Sequence, residues 1–334
     1  DAAFFAVFLG QGPLTEEGYR AAQRRAFEKF SIIRSAIHAN QTQAGLALTS
    51  ADARSLKSQG RLAIYIGVEN AYPIAHDISM VQTFYDLGAR YIGLTHSLNN
   101  QVADASTDEA GSIHNGLSDF GKKVVREMNR LGMIIDVSHI SDEAFYDVLA
   151  LTQAPVIASH SNVRALANHP RNIDDDMIRA LAANGGVLQL SILSDYVKEM
   201  PSNLQRDSAM AALRLRFSNF QGLSDEQMAE ARREWFAINI RYPRPLATVS
   251  DLVNHIDHVV NLVGIDYVGI GTDFDGGGAL KDCFDASELG NITLEMLRRG
   301  YSEREIEKVW SGNFLRVFRE NERLARRLGR LGKH

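Results

Sequence analysis

The sequence predicts an α/β protein, a (β/α)8 or TIM barrel, on three observations. Short apolar runs rich in β-branched residues alternate with longer amphipathic stretches, as in βαβ units around a parallel sheet. The chain has 334 residues, more than the roughly 250 typical of such a barrel. The competing architecture is an open doubly wound sheet, but no glycine-rich phosphate loop follows any predicted strand.

Seven segments have the character of buried parallel strands. In chain order they are Ala3–Leu9, Leu62–Val68, Tyr91–Thr95, Met133–Ser138, Pro155–Ser159, Gly186–Ser191 and Tyr267–Thr272. A closed barrel of this kind needs eight strands, and the chain opens almost directly on the first of these seven. We therefore expect the first barrel strand to lie upstream of Asp1, because a barrel without it would expose two unpaired edges and its core.

Helices are predicted between most of these strands, and local signals mark some of their ends. The clearest are Glu16–Ala39, Gly121–Leu131, Ser141–Leu151 and Asp174–Asn184. Ser141 followed by Glu143 predicts a capped helix start. Gly132 and Gly185 fall just after predicted helix ends, where glycine is favoured.

Two further segments are predicted to be helical, and one of them interrupts the alternation. The stretch from about 199 to 246 is rich in Arg, Glu, Met and Ala, and we interpret it as helices inserted after the seventh strand of the complete barrel. The segment from about 293 to 328 predicts C-terminal helices. We find no second domain or repeat, so residues 1–334 are predicted to form a single barrel domain.

Composition narrows the class of function. The net charge of −5 comes from interspersed acids and bases, so no basic stripe for nucleic acid is present. No apolar run approaches the roughly 20 residues that span a bilayer. Cys283 is the single cysteine, which excludes an intrachain disulfide and a cysteine zinc cage. The apolar start DAAFFAVFLGQG lacks the basic residues of a signal peptide, and the compartment stays open between cytoplasm and export.

Ionisable residues follow five of the predicted strands. These are Glu69, His96, His139, His160 and Asp273. Barrel enzymes place their sites at the carboxyl ends of the strands, so these five side chains are expected around one cavity mouth. A lone histidine at such a place is more often a satisfied hydrogen-bonding group. Five together indicate function, because charges there are costly unless they are paired or metal-bound.

The residue types suit metal-assisted hydrolysis. Imidazoles and a carboxylate are good ligands for Zn²⁺ when positions stay open for water. Glu69 has two oxygens with which to bridge two metals, and His139 and His160 would serve one of them. Asp273 could accept a proton from the attacking water and pass it to a leaving amine. Arg171 is either a solvated charge or the group that holds a substrate carboxylate bidentately.

The other histidines are interpreted as structural. His255 and His258 are three residues apart, which places both on one helix face, but they precede a strand and so lie at the wrong end of the barrel. The remaining ones are predicted to be surface or loop residues: His38, His76, His114, His169 and His334. Asp275 lies near the predicted site, and a role in orienting its neighbours is left open.

In these settings the residues resemble the membrane (renal) dipeptidase family of zinc peptidases, peptidase family M19. The resemblance runs over nearly the whole chain, through GVENAYPI, YIGLTHSLNNQVADAS, GLSDFGKKVVREMNRLGMIIDVSHIS, PVIASHSNVRALANHPRNIDDDMIRAL, HIDHVVNLVGIDYVGIGTDFDGG and LRRGYSEREIEKVWSGNFLRVFRE. The combination is long and ordered, and therefore specific. It implies a barrel of the metallo-dependent hydrolase type.

The resemblance also implies a role for each residue. Glu69 corresponds to the carboxylate that bridges two zinc ions, and His139 and His160 to the ligands of the second zinc. His96 corresponds to the histidine that contacts the substrate and polarises the scissile carbonyl, Arg171 to the arginine that holds the substrate carboxylate, and Asp273 to the acid–base aspartate. The implied reaction is hydrolysis of a dipeptide by hydroxide bound to the metal.

One feature of the family pattern is missing. In the family the first strand ends in a His-x-Asp pair that ligates the first zinc, and no such pair precedes DAAFFAVF. We expect that pair on an upstream segment; the alternative is a truncated form that has lost its first metal and only binds a ligand or partner. A second alternative is hydrolysis of other small amides, such as lactams or N-acyl amino acids. Since family members are often dimers, the resemblance also implies a homodimer.

Overall fold

One parallel sheet organises the chain. The computed structural model describes residues 1–220 and 223–331, so His334 lies outside the described residues. The strands are β1 (Ala2–Phe8), β2 (Ala44–Leu46), β3 (Leu62–Glu69), β4 (Ala89–Gly93), β5 (Ile134–Asp136), β6 (Ile157–Ala158), β7 (Val187–Leu190) and β8 (Val268–Ile270). Their order is β1-β3-β4-β5-β6-β7-β8, and β2 pairs with the start of β3. Every pairing is parallel, which confirms the predicted α/β fold with a barrel-type sheet.

Helices occupy most of the connections between strands. They are α1 (Glu16–Ala39), α2 (Asp52–Ser58), α3 (Ser79–Asp86), α4 (Asp119–Leu131), α5 (Asp142–Leu151), α6 (Asp175–Ala183), α7 (Ser194–Val197), α8 (Leu204–Arg216), α9 (Asp225–Arg241), α10 (Val249–Val263), α11 (Gly290–Arg298), α12 (Glu303–Glu307) and α13 (Asn313–Leu331). A π-helical turn over 308–312 joins α12 to α13. Among the described helices, none combines the length and the apolar character needed to cross a bilayer.

The predicted caps are present. The Ser141 side chain accepts a hydrogen bond from the Ala144 N–H and so satisfies one of the free donors at the start of α5. Gly132 ends α4 in the left-handed conformation, with φ 74°, which glycine adopts without a steric penalty. The sequence thus specifies these helix ends locally.

Alternation along the strands places one set of side chains inside the barrel. Tyr65, Tyr91, Ile134, Ile157 and Val187 come from five successive strands of the order and form one buried cluster. Phe4 of β1 and Phe314 and Phe318 of α13 pack against that cluster and fill one end of the interior. Since side chains on one face of a strand recur every second residue, positions 67 and 69 of β3 share the inward face with Tyr65.

Gly67, the next inward-facing residue of β3 after Tyr65, leaves room for the ring of Tyr91. A Cβ on Gly67 would lie 2.1 Å from Cζ of Tyr91, closer than any side chain could tolerate. The interior is therefore filled by aromatic rings up to this level, and the following inward position on β3 is Glu69. The buried cluster therefore lies directly below the strand end that carries Glu69.

His255 is a core residue of α10. Its side chain is buried, Nδ1 accepts a hydrogen bond from the Val163 N–H at 3.1 Å, and Nε2 donates to the Val197 carbonyl at 2.7 Å. Burial lowers the pKa of His255 to about 4, so the imidazole is neutral in the folded protein at neutral pH. The histidine joins α10 to the segments that follow β6 and β7.

We expect this histidine to make the folded state acid-sensitive. An unfolded histidine binds its proton near pH 6.5, whereas folded His255 resists protonation down to about pH 4, so stability is lost as the pH falls through that window. The full contribution is about 3 kcal/mol. Urea unfolding at a series of pH values should show this loss, and the difference between wild type and His255→Gln should narrow as the pH falls. A constant difference across the window would contradict the prediction; His38→Gln, at an exposed position, is the control.

Candidate metal and catalytic site

The five residues predicted at strand ends all lie at the carboxyl edge of the sheet. Glu69 is the last residue of β3, and the other four follow β4, β5, β6 and β8 within three residues. Glu69, His139 and His160 converge, since one ligand atom of each lies within 4.8 Å of the others. Glu69 Oε1 is 3.4 Å from His139 Nε2 and 3.5 Å from His160 Nε2.

The backbone turns sharply at two of these strand ends. His139 and Asp273 have positive φ values of 72° and 62°, and Asn70, directly after Glu69, has φ 82°. A non-glycine residue in the left-handed region is costly and is kept only where surrounding contacts hold it. Two such contacts are visible, because the His139 carbonyl accepts from the Ser106 N–H and the Asn70 side chain accepts from Asn100. Left-handed residues are enriched at functional sites. His139 and Asp273 contribute proposed site groups, and Asn70 directly follows one.

The three converging groups fit a metal ion. The Nε2 atoms of His139 and His160 face each other at 2.8 Å, and both rings are largely buried. Two nitrogen lone pairs at that distance need either a proton or a cation between them. Two imidazole nitrogens and a carboxylate oxygen form a donor set that suits Zn²⁺.

The charge of Glu69 is stabilised by its neighbours. Burial opposes ionisation, but the close approach of His139 and His160 holds the pKa of the Glu69 carboxyl well below its usual value. A carboxylate that is ionised and only 16% exposed attracts cations to this point. Glu69 is therefore ionised at neutral pH.

His96 lies at the edge of the cluster. Its Nε2 is 3.8 Å from Glu69 Oε1, and its Nδ1 contacts the Ser97 hydroxyl at 2.9 Å. The ring packs between Phe8 and His139, with ring centroids at 4.7 Å and 4.3 Å. Burial lowers the pKa of His96 to about 4, so His96 is neutral at physiological pH and can donate or accept one hydrogen bond.

Arg171 is a buried cation next to the cluster. One of its terminal nitrogens donates to the His160 carbonyl at 3.0 Å, and the other approaches the Ser161 hydroxyl at 3.4 Å. The guanidinium lies over the Tyr196 ring at 5.4 Å. Within the described residues, its buried Nε has no hydrogen-bond partner. A fixed guanidinium with unused donors is suited to bind an anion.

Asp273 lies close enough to His160, Glu69 and Arg171 for their charges to shift its pKa. Burial raises the pKa of the Asp273 carboxyl, His160 and Arg171 oppose that rise, and the negative charge of Glu69 adds to it. Asp275 is exposed. The structure thus brings all six predicted residues into one neighbourhood.

Residues that the sequence analysis did not select support the site from below and from the side. Asp136 is buried at the end of β5, and its carboxylate accepts from Ser159, whose hydroxyl also contacts His160 Nδ1 at 2.7 Å. Tyr196 stacks against Arg171. A signal for Asp136 was available, because it is a charged residue inside the apolar run MIIDVS.

The remaining histidines lie outside the cluster. His258 pairs with Asp175 at 2.7 Å, and His114 contacts the Asn100 carbonyl at 2.8 Å. His169 is a loop residue, but its Nδ1 accepts from the Arg171 N–H, so it contributes to the position of that arginine. His255 and His258 thus make structural contacts, as the sequence indicates. Both contact segments that follow β6, however, so the prediction that they lie at the opposite end of the barrel was wrong.

Comparisons with known proteins point to one family. The family model described as membrane dipeptidase (peptidase family M19) matches residues 1–330. The chain is 30% identical over 329 residues to dipeptidase tcpJ of Claviceps purpurea, with 97% of this chain and 67% of that protein covered. It is 33% identical over 309 residues to dipeptidase 3 of Macaca fascicularis, with 91% and 54% covered.

A solved structure agrees with these sequence matches. The probable dipeptidase PvdM from Pseudomonas aeruginosa superposes with a TM-score of 0.85 at 32% identity, covering 97% of this chain and 86% of that one. A metallopeptidase from Rhodobacter sphaeroides, solved with a phosphinate mimic of the dipeptide L-Ala-D-Ala, has a TM-score of 0.74 at 22% identity, which shows the shared fold alone. The chain spans about two-thirds of the fungal relative and about half of the macaque one.

Proposed function

Because the chain belongs to the membrane dipeptidase family, peptidase family M19, we propose that it is a zinc-dependent dipeptidase that hydrolyses the peptide bond of dipeptides. The observation that carries the proposal is the convergence of Glu69, His139 and His160, with a buried arginine beside them. These three residues would hold zinc, and the two carboxylate oxygens of Glu69 would allow a second ion to bind beside the first. Zinc supplies a Lewis acid that polarises a carbonyl and makes water more acidic.

Each remaining residue has one proposed task. Asp273 accepts a proton from the attacking water and returns it to the leaving amine, a role for which a raised carboxyl pKa is favourable. Neutral His96 donates a hydrogen bond to the scissile carbonyl oxygen as negative charge develops there. Arg171 binds the free carboxylate of the substrate through two parallel hydrogen bonds.

The position of Arg171 supports short substrates. Its guanidinium donates to the backbone of His160, which is itself one of the proposed metal ligands. A carboxylate held there lies close to the bond being cleaved, so the residue after that bond should be the last one of the substrate. In a longer peptide the same position would carry an uncharged amide, which Arg171 would bind less strongly than a carboxylate.

We expect zinc-dependent release of amino acids from dipeptides. The purified full-length protein would be assayed with L,L and L,D dipeptides and with matched tripeptides, after chelation and again after zinc is restored. Cleavage should disappear with the metal and return with zinc, and dipeptides should be preferred. If a folded, zinc-loaded preparation cleaves none of the dipeptides, the dipeptidase proposal is wrong.

The same assay separates the other candidates. Lactams and N-acyl amino acids in the panel test hydrolysis of other small amides by the same groups. A protein that binds zinc and a dipeptide without turnover would be a binding barrel. The assembly is proposed to be a homodimer, which light scattering of the purified protein measures directly.

A further inference from the structure

A hydrogen-bonded chain runs from Asp136 through Ser159 to His160. The Ser159 hydroxyl lies 2.6 Å from Asp136 Oδ2 and 2.7 Å from His160 Nδ1. Asp136 is 1% exposed, and its second oxygen accepts from the backbone N–H groups of Ser138 and Ser159 at 3.0 and 2.9 Å. All of these hydrogen-bonding groups lie at the end of β5 or directly after β5 and β6.

The donors and acceptors in this chain can be assigned. An ionised carboxylate only accepts, so the short contact with Asp136 takes the single hydroxyl hydrogen of Ser159. The Ser159 oxygen can then contact His160 Nδ1 only as an acceptor, which requires the hydrogen on Nδ1. His160 Nε2 then carries the lone pair of the ring, and that atom faces Glu69 and His139 Nε2, from which it can accept a hydrogen bond in the metal-free protein.

The two histidine-bearing segments also hold each other directly. The Ser138 hydroxyl accepts from the His160 N–H at 3.0 Å, and it contacts the Ser161 hydroxyl at 3.3 Å. Ser138 immediately precedes His139, so the same contacts position both imidazoles. Asp136 therefore acts at the junction of the two strand ends, without being placed to touch a substrate.

We propose that Asp136 and Ser159 are positioning residues that fix the Nδ1–H tautomer of His160 and thereby prepare its Nε2 to bind the metal. The inference deepens the proposed function, since it rests on His160 as a metal ligand. Partners of this kind orient metal-binding histidines and raise their basicity, and their loss typically weakens metal affinity about 10- to 100-fold. The hydrogen-bond chain itself is a property of the metal-free protein.

The substitution Asp136→Asn tests the tautomer. The amide oxygen can still accept from the backbone, but the amide nitrogen would donate to Ser159, whose hydrogen would then turn toward His160 Nδ1. The hydrogen of the imidazole would move to Nε2 and block the lone pair. Histidine ¹⁵N NMR of the metal-free protein, recorded above the pH at which the His160 signals stop shifting, should show Nδ1–H at His160 in wild type and Nε2–H in the variant. The His160→Asn spectrum supplies the assignment.

Zinc affinity gives a second readout, measured by competition with a chromogenic chelator. Asp136→Asn and Ser159→Ala should each raise the zinc Kd, by about 10- to 100-fold for the former. Ser97→Ala is the matched control, because it removes the corresponding serine contact to Nδ1 of His96, and it should leave the zinc Kd unchanged. If Asp136→Asn does not fold, Ser159→Ala decides the question alone.

The outcomes separate this inference from the proposed function. An unchanged His160 tautomer together with wild-type zinc Kd values in both variants would overturn the positioning role and leave the dipeptidase proposal standing. A wild-type protein that shows the expected tautomer but binds no zinc would contradict the proposed function. The tautomer shift would still support the hydrogen-bond chain in that case.

Discussion

Replacing Asp273 by asparagine should lower kcat for a dipeptide by about 10²- to 10⁴-fold, the range that a general acid–base group contributes. The carboxylate can accept and return a proton, whereas an amide of nearly the same shape can do neither. Zinc affinity should change little, because the converging ligand groups belong to Glu69, His139 and His160. Steady-state kinetics and a zinc titration of the same preparation measure both quantities.

The pH dependence provides a further check on this residue. Only ionised Asp273 can accept a proton, and burial raises its pKa, so activity should be lost as the pH falls through a value above the usual one for aspartate. Asp275→Asn, at an exposed neighbouring position, is the control and should retain the wild-type profile. A fully active Asp273→Asn protein would assign proton transfer to another group.

The fold could be predicted because its signals are local. Alternating apolar strands and amphipathic helices specify parallel βαβ units, and α1 was predicted with its observed bounds. The short elements β2, α2 and α3 were not predicted, since three to eight residues carry too little periodicity to stand out. The further strand expected upstream of Asp1 stays a prediction.

The site could be predicted in part because a parallel barrel brings every carboxyl end to one edge. That rule predicted the neighbourhood of Glu69, His139 and His160, whose ligand atoms converge. It could not give Asp136 and Ser159 as partners, because that contact depends on the register between β5 and β6. Such contacts between strands follow from packing that no single segment encodes.

The inserted helices illustrate the same limit. Helices α8 and α9 fall in the segment that the sequence predicts to be helical. Leu213, Phe217 and Ala231 form a small buried cluster that is separate from the main core. The periodicity of each helix predicts that it forms, but the partner on which it packs follows only from the folded chain. The sequence predicts no function for α8 and α9, and none of the proposed catalytic residues lies on them.

Arg171 should determine the preference for a free C-terminus. In Arg171→Met we expect kcat/KM for a dipeptide to fall by about 10²- to 10³-fold, because two charge-assisted hydrogen bonds to the substrate carboxylate are lost. The C-terminal amide of the same dipeptide has no carboxylate to lose, so its already low kcat/KM should fall much less. The ratio of the two rate constants isolates the carboxylate contact from general damage to the site.

Arg164→Met is the matched control for this experiment. Arg164 lies in the same loop but forms its ion pair with Asp142, so its removal should leave the ratio between acid and amide substrates at the wild-type value. Arg171→Lys refines the test, since lysine keeps the charge and lacks the planar fork. If Lys restores the ratio, charge alone suffices; if it behaves like Met, paired geometry is required. An Arg171→Met enzyme that still prefers the free acid as strongly as wild type would place carboxylate recognition elsewhere.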